Sequence, residues 1–185
     1  MSSVSTSIPS TGRYTGPAIW LHWLMALLIA GVFFLGLYMA DLPMSLTRLK
    51  LFNYHKWAGV IVLALAVLRL VWRLTHQPPA DVPMPGWQRL AAHGMHHLLY
   101  GLFFAVPLVG WAYSSAAGFP IVLFGVLPLP SFVAKNAELA QLIKPWHETL
   151  AWTLALLVVA HAGAALKHQF IDKDGLLNRM RPGRG

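Results

Sequence analysis

The chain has 185 residues, of which 57% are hydrophobic and 11% charged, with a net charge of +8 and a mean hydropathy of +0.57. A water-soluble domain would carry about 25% charged residues, so the composition points to a membrane protein. Cysteine is absent, which excludes disulfides, thiolate-held iron–sulfur clusters, covalently attached c-type haem and cysteine nucleophiles.

Residues 1–17 are rich in Ser, Thr, Gly and Pro and read as a disordered tail. The first apolar run covers about 18–40. It exceeds the roughly 7–15 residues of a signal h-region and matches the about 20 residues that cross a bilayer. A second run covers about 52–74, followed by a stiff loop containing Pro78, Pro79, Pro83 and Pro85. The third covers about 90–117, with Pro107 predicted to kink it. The next stretch, GFPIVLFGVLPLPSF, is apolar but broken by Pro120, Pro128 and Pro130. It reads as a loop at or dipping into the membrane surface, not a fifth span. The fourth run covers about 146–166, and residues 171–185 form a basic tail. No repeat and no second domain is visible. The expected architecture is an all-α membrane protein, a four-transmembrane-helix bundle over residues 18–170.

Four spans put both termini on one side of the membrane. That side holds nine basic residues: Arg13, Arg69, Arg73, Arg89, Lys167, Lys173, Arg179, Arg181 and Arg184. The other holds five: Arg48, Lys50, Lys56, Lys135 and Lys144. The positive-inside rule places both termini in the cytoplasm. The eight Trp and five Tyr mostly flank the apolar runs, as interfacial aromatics do. Scattered basic residues at span ends suit lipid anchoring better than nucleic acid.

Ionisable groups inside a span are costly and mark function by default. The topology sorts the histidines by depth. His55 and His147 fall in the outer half, on different helices. His22 and His161 fall in the inner half, with His93, His96 and His97 at the inner end of the third helix. His147 and His161 are 14 residues apart, a rise of about 21 Å and a turn about 40° short of four revolutions. Helix four therefore shows both imidazoles on one face, one per leaflet. A pair of imidazoles facing each other across a bundle suits haem, and filling both axial positions favours electron transfer over oxygen binding. A lone histidine near a helix end is more often an interfacial hydrogen-bonding residue; matched depth across helices is what argues for ligands. Arg69 lies 14 residues after His55 on the same face, at the inner level, where it suits a haem propionate or a quinone oxygen. Arg73, a turn further, reads as a snorkelling side chain.

The segments WLHWLMALL, YHKWAGVIVLALAVLRLVWRL, AAHGMHHLLY and WHETLAWTLALLVVAHAGAALKH together resemble the prokaryotic cytochrome b561 family, from about residue 18 to the C-terminus. That resemblance implies a small four-helix inner-membrane cytochrome with two haem b groups. It implies axial ligands at His22, His55, His147 and His161, choosing His22 with His161 at the inner level. It places His93, His96 and His168 in a propionate or quinone environment; His97 has no counterpart role, and the HGMHH spacing departs from the family pattern. The implied activity is a membrane oxidoreductase that takes electrons from superoxide at the outer haem and delivers them to ubiquinone at the inner one. Five outer basic residues against Asp41, Glu138 and Glu148 leave a field that favours a small anion. Lys56, beside His55, and Lys144, three residues before His147, are candidates for steering superoxide; contact with lipid headgroups explains them equally.

Three other readings stay open in the sequence. A cytochrome b subunit linking quinone to a partner dehydrogenase or hydrogenase would use the same haem ladder. A membrane di-iron oxygenase would use HGMHH as one histidine box, but that chemistry needs several boxes at one face. A transporter with intramembrane histidines would leave the matched depths without a reason.

Overall fold

A computed structural model describes residues 12–183. Helix α1 spans Gly16–Asp41, α2 Leu46–Thr75, α3 Gly86–Ala116 and α4 Ala137–Lys167. Each of the four is long and apolar enough to cross a membrane. At 1.5 Å per residue even the shortest covers the roughly 30 Å hydrocarbon core. The helices alternate direction, so the described ends of the chain lie on the same side.

Every helix begins earlier than its apolar run. Pro17 sits in the first turn of α1, where a missing N–H costs nothing. The Ser45 hydroxyl accepts from the Arg48 amide at 3.2 Å and starts α2 six residues before the apolar stretch. The Asn136 side chain accepts from the Leu139 amide at 3.0 Å and starts α4 at Ala137, with Pro145 inside the helix. These leading turns are polar, so hydropathy alone does not reveal them.

The segment after α3 is not a span. It forms a small hairpin, β1 (Val122–Leu123) paired antiparallel with β2 (Leu127–Pro128). Phe124 and Gly125 at its tip take positive φ, 53° and 75°. The hairpin is tied down by the Trp57 indole, which donates to the Val122 carbonyl at 2.7 Å, and by the Ser114 hydroxyl, which donates to Phe119 O.

α3 packs along α4 and α1 along α2, with α2 against α3 completing the bundle. The core is thin: Met25, Ala66, Leu99, Phe103 and Leu154, with each helix represented. Large apolar side chains such as Leu27, Phe34, Leu68, Val71, Leu98, Leu156 and Val159 face outward on every helix. A helix apolar on its outside as well as its inside has lipid as its solvent.

The two ends of the chain are more ordered than their composition suggests. Residues 1–11 of the expected disordered tail lie outside the described residues, but 12–15 are bonded in place: the Tyr14 amide donates to Arg179 O at 3.3 Å. α4 runs into a π-helical turn, His168–Asp172, and then a 3-10 helix, Leu176–Met180. Arg179, in the basic tail, is only 6% exposed; its guanidinium donates to the carbonyls of Gly12 (3.1 Å) and Ala80 (2.6 Å). The Trp23 indole donates to Met180 O at 2.7 Å. The tail is a strap across the inner end of the bundle, held by main-chain acceptors that composition cannot show.

Candidate functional site

The bundle brings histidines together at two levels, above and below the Met25–Ala66–Leu154 core. At the outer level His55 of α2 faces His147 of α4, with ring centroids 6.2 Å apart and planes at 90°. At the inner level His22 of α1 faces His161 of α4, with centroids again 6.2 Å apart and planes at 72°. An imidazole nitrogen binds a metal at about 2 Å, and roughly 1 Å separates ring centre from nitrogen, so an iron held between two rings sets their centres about 6 Å apart. Both pairs have that spacing.

The outer pair is built against two helix-interior glycines. A Cβ at Gly110 of α3 would lie 2.8 Å from His147 Cε1 and 3.0 Å from its Nδ1. A Cβ at Gly36 of α1 would lie 3.0 Å from His55 Cε1. Each ring thus rests in a notch that any side chain would fill. His147 Nδ1 donates to the Val106 carbonyl at 3.1 Å, so in the neutral ring Nε2 carries the free lone pair. His55 is buried, with the Val32 carbonyl as a backbone partner for its ring, though its Nδ1 falls short of full hydrogen-bond geometry.

The inner level holds three histidines, not two. His96 of α3 approaches His161 to 5.4 Å between centroids, closer than two ligands on opposite sides of one haem iron would stand. A cleft of about 510 Å³ is lined by His22, His96 and His161 together with Arg69, Tyr100 and Phe103. Arg69 Nη2 donates to His22 Nδ1 at 3.1 Å, and its guanidinium lies over the Tyr100 ring at 5.6 Å. A donating arginine requires a bare Nδ1, so in this arrangement the His22 proton is on Nε2. Metal binding through that Nε2 needs the proton moved to Nδ1 and the arginine released. A second, basic cleft of about 490 Å³ adjoins the first through Arg69 and Tyr100 and adds Arg13 and Arg73.

The remaining sequence candidates fall elsewhere. His93 Nε2 sits 3.1 Å from Asp81 Oδ2 and is half exposed. His168 Nδ1 is turned to Asp172 and Asp174 and does not line the inner cleft. His97 is exposed. Among the described residues the HGMHH histidines therefore form no three-donor cluster. Lys56 Nζ reaches the carbonyls of Phe119 and Pro120 at 3.4 and 3.5 Å, and Lys144 pairs with Glu148 at 3.6 Å. Sequence reasoning missed Gly36, Gly110 and the Val106 carbonyl. The available signal was an interior helix glycine, which costs about 1 kcal/mol relative to alanine and so marks close approach.

Four lipid-facing helices enclosing histidine pairs at two depths define a multi-pass membrane protein with the build of a b-type cytochrome. Sequence comparison agrees: the model for the prokaryotic cytochrome b561 family matches residues 13–183, and the chain belongs to that family. It is similar to two Escherichia coli (strain K12) proteins. Cytochrome b561 homolog 2 is 38% identical over 172 residues, covering 91% of this chain and 90% of that one. Cytochrome b561 homolog 1 is 39% identical over 176 residues, covering 93% and 98%. Probable superoxide oxidase CybB of Yersinia pestis is 30% identical over 178 residues, covering 92% and 96%. The protein is accordingly a haem b-binding electron-transfer cytochrome of the bacterial inner membrane.

Proposed function

We propose that the chain holds two haem b groups, one between His55 and His147 and one between His22 and His161, and carries electrons from superoxide at the periplasmic face to ubiquinone at the cytoplasmic side. The observation that carries this is the repeated 6.2 Å spacing at two levels, with both partners from α4 on one face. Bound there, each haem supplies a one-electron store.

The chain's own groups do the rest. Val106 O fixes the His147 tautomer, and the Gly36 and Gly110 notches set how deep the outer rings sit. At the inner level Arg69, with Arg13 and Arg73 in the adjoining cleft, would hold a propionate carboxylate of a bound haem, leaving His22 Nδ1. His96, beside His161 but too close to it to be the opposite ligand of one haem iron, is left to act on the quinone side, where reduction consumes protons. Phe103 and Leu154 keep water out between the two levels. The cytoplasmic placement of both termini follows from the nine-to-five basic bias. The Yersinia pestis relative's name and the positive outer loops favour superoxide as donor.

Purified protein reconstituted with ubiquinone and exposed to a superoxide source tests the reading. Haem reduction followed by quinol formation, with no added partner, supports it. Reduction only through a dehydrogenase or hydrogenase partner assigns the chain to the subunit role instead.

A further inference from the structure

At the inner end of α4 the chain reverses through Lys173 (φ 53°) and Gly175 (φ 75°) after the π-helical turn. The reversal folds Asp174 back beside Asp172, against His168. His168 Nδ1 lies 2.6 Å from Asp174 Oδ2 and 3.3 Å from Asp172 Oδ2. One ligand atom from each of the three lies within 4.8 Å of the others, a convergence no other His, Asp and Glu residues achieve among the described residues. We propose that His168, Asp172 and Asp174 form a binding site for a divalent transition metal, with Zn²⁺ as the best match.

Donors bound tetrahedrally to zinc at about 2.0–2.2 Å lie roughly 3.3–3.6 Å from one another. The His168–Asp172 distance of 3.3 Å has that spacing, the His168–Asp174 contact of 2.6 Å has to open by roughly 1 Å on binding, and all three ligand atoms lie within 4.8 Å of one another. One imidazole nitrogen with two carboxylate oxygens selects a borderline metal over Ca²⁺ or Mg²⁺, which take oxygen alone. Two carboxylates balance the dication. The three side chains are 16%, 30% and 25% exposed, sheltered but reachable, so water supplies the fourth position. Asp174 is also held from behind: its Oδ1 accepts from the Leu176 amide at 2.9 Å, leaving Oδ2 for the metal. One competitor is present. Lys167 Nζ sits 2.6 Å from Asp172 Oδ2 and has to swing away on binding. The site lies seven residues beyond His161 and is independent of the haem assignment.

The test is equilibrium dialysis of detergent-purified, haem-loaded protein against Zn²⁺ after chelator treatment, with zinc per chain measured by mass spectrometry. One zinc per chain is expected. His168→Gln keeps both carboxylates and the net charge, yet should weaken binding by at least about tenfold, as should Asp174→Asn. Lys167→Gln should tighten it. His93→Gln, at the other His–Asp pair, should change nothing. Haem content and elution volume report whether each variant is folded. Zinc uptake that survives His168→Gln would be adsorption to an acidic surface, and absence of saturable uptake by the unaltered protein would equally overturn the site.

Discussion

Gly110→Ala adds one methyl group and separates two opposing effects. In an ordinary helix interior it should stabilise, since alanine is favoured over glycine by about 1 kcal/mol. At this position the new Cβ meets His147 Cε1 at 2.8 Å and Nδ1 at 3.0 Å. Unstrained carbon contacts lie at about 3.5–4.0 Å, so the ring has to retreat by roughly 0.7 Å. The retreat would stretch the 3.1 Å bond from Nδ1 to Val106 O, one turn before Gly110 on the same helix, and would disturb the spacing an axial ligand needs. Overpacking of this kind costs about 1–3 kcal/mol, or about 5–150-fold in the affinity of the outer site for haem. Gly101, on the same helix with nothing within 4 Å of its Cβ, supplies the control. Haem per chain and thermal loss of the Soret band should show Gly110→Ala losing its outer haem while Gly101→Ala keeps both. Full haem content and an unshifted melting curve in Gly110→Ala would refute the notch and the ligand role of His147 that rests on it.

Further outcomes can be checked on the same preparation. His147→Ala and His161→Ala should each remove one haem and leave the other spectrally intact; loss of both from either variant would contradict two separate sites. Arg69→Met removes the guanidinium that would hold an inner haem propionate, so the inner haem's midpoint potential should move while the outer one stays in place, as a redox titration would show. Lys144→Gln should alter superoxide-driven reduction by less than about fivefold, because an exposed pair with Glu148 is worth about 1 kcal/mol at most; stopped-flow rates decide it. Arg179→Met strands the Gly12 and Ala80 carbonyls and should cost about 2–3 kcal/mol, read as faster proteolysis of the inner strap.

The spans were legible because twenty apolar residues have few alternatives in water; three of the four runs fall inside their helices and the third overshoots α3 by one residue. The histidine levels were legible for a related reason: rise per residue converts position in a span directly into depth, which singled out His55 with His147 but left His22, His161 and the His93, His96 and His97 cluster together at the inner level until the family resemblance chose among them. Other features needed three dimensions. Ser45 and Asn136 start their helices through side-chain bonds about two and three turns ahead of the apolar run. The closeness of His96 to His161, and the hold of Arg69 on His22, depend on how α2 and α3 rotate about their axes. In a bundle apolar all round, hydrophobic periodicity does not set that rotation. The strap formed by Arg179 and Met180 relies on backbone carbonyls as partners, and these leave no trace in side-chain pattern.

The paired histidines at two depths are to be tested first by the dithionite-reduced minus oxidised spectrum of the detergent-purified protein, with haem quantified per chain. Two b-type haems per polypeptide are expected. A single haem per chain would contradict that and make one histidine pair structural.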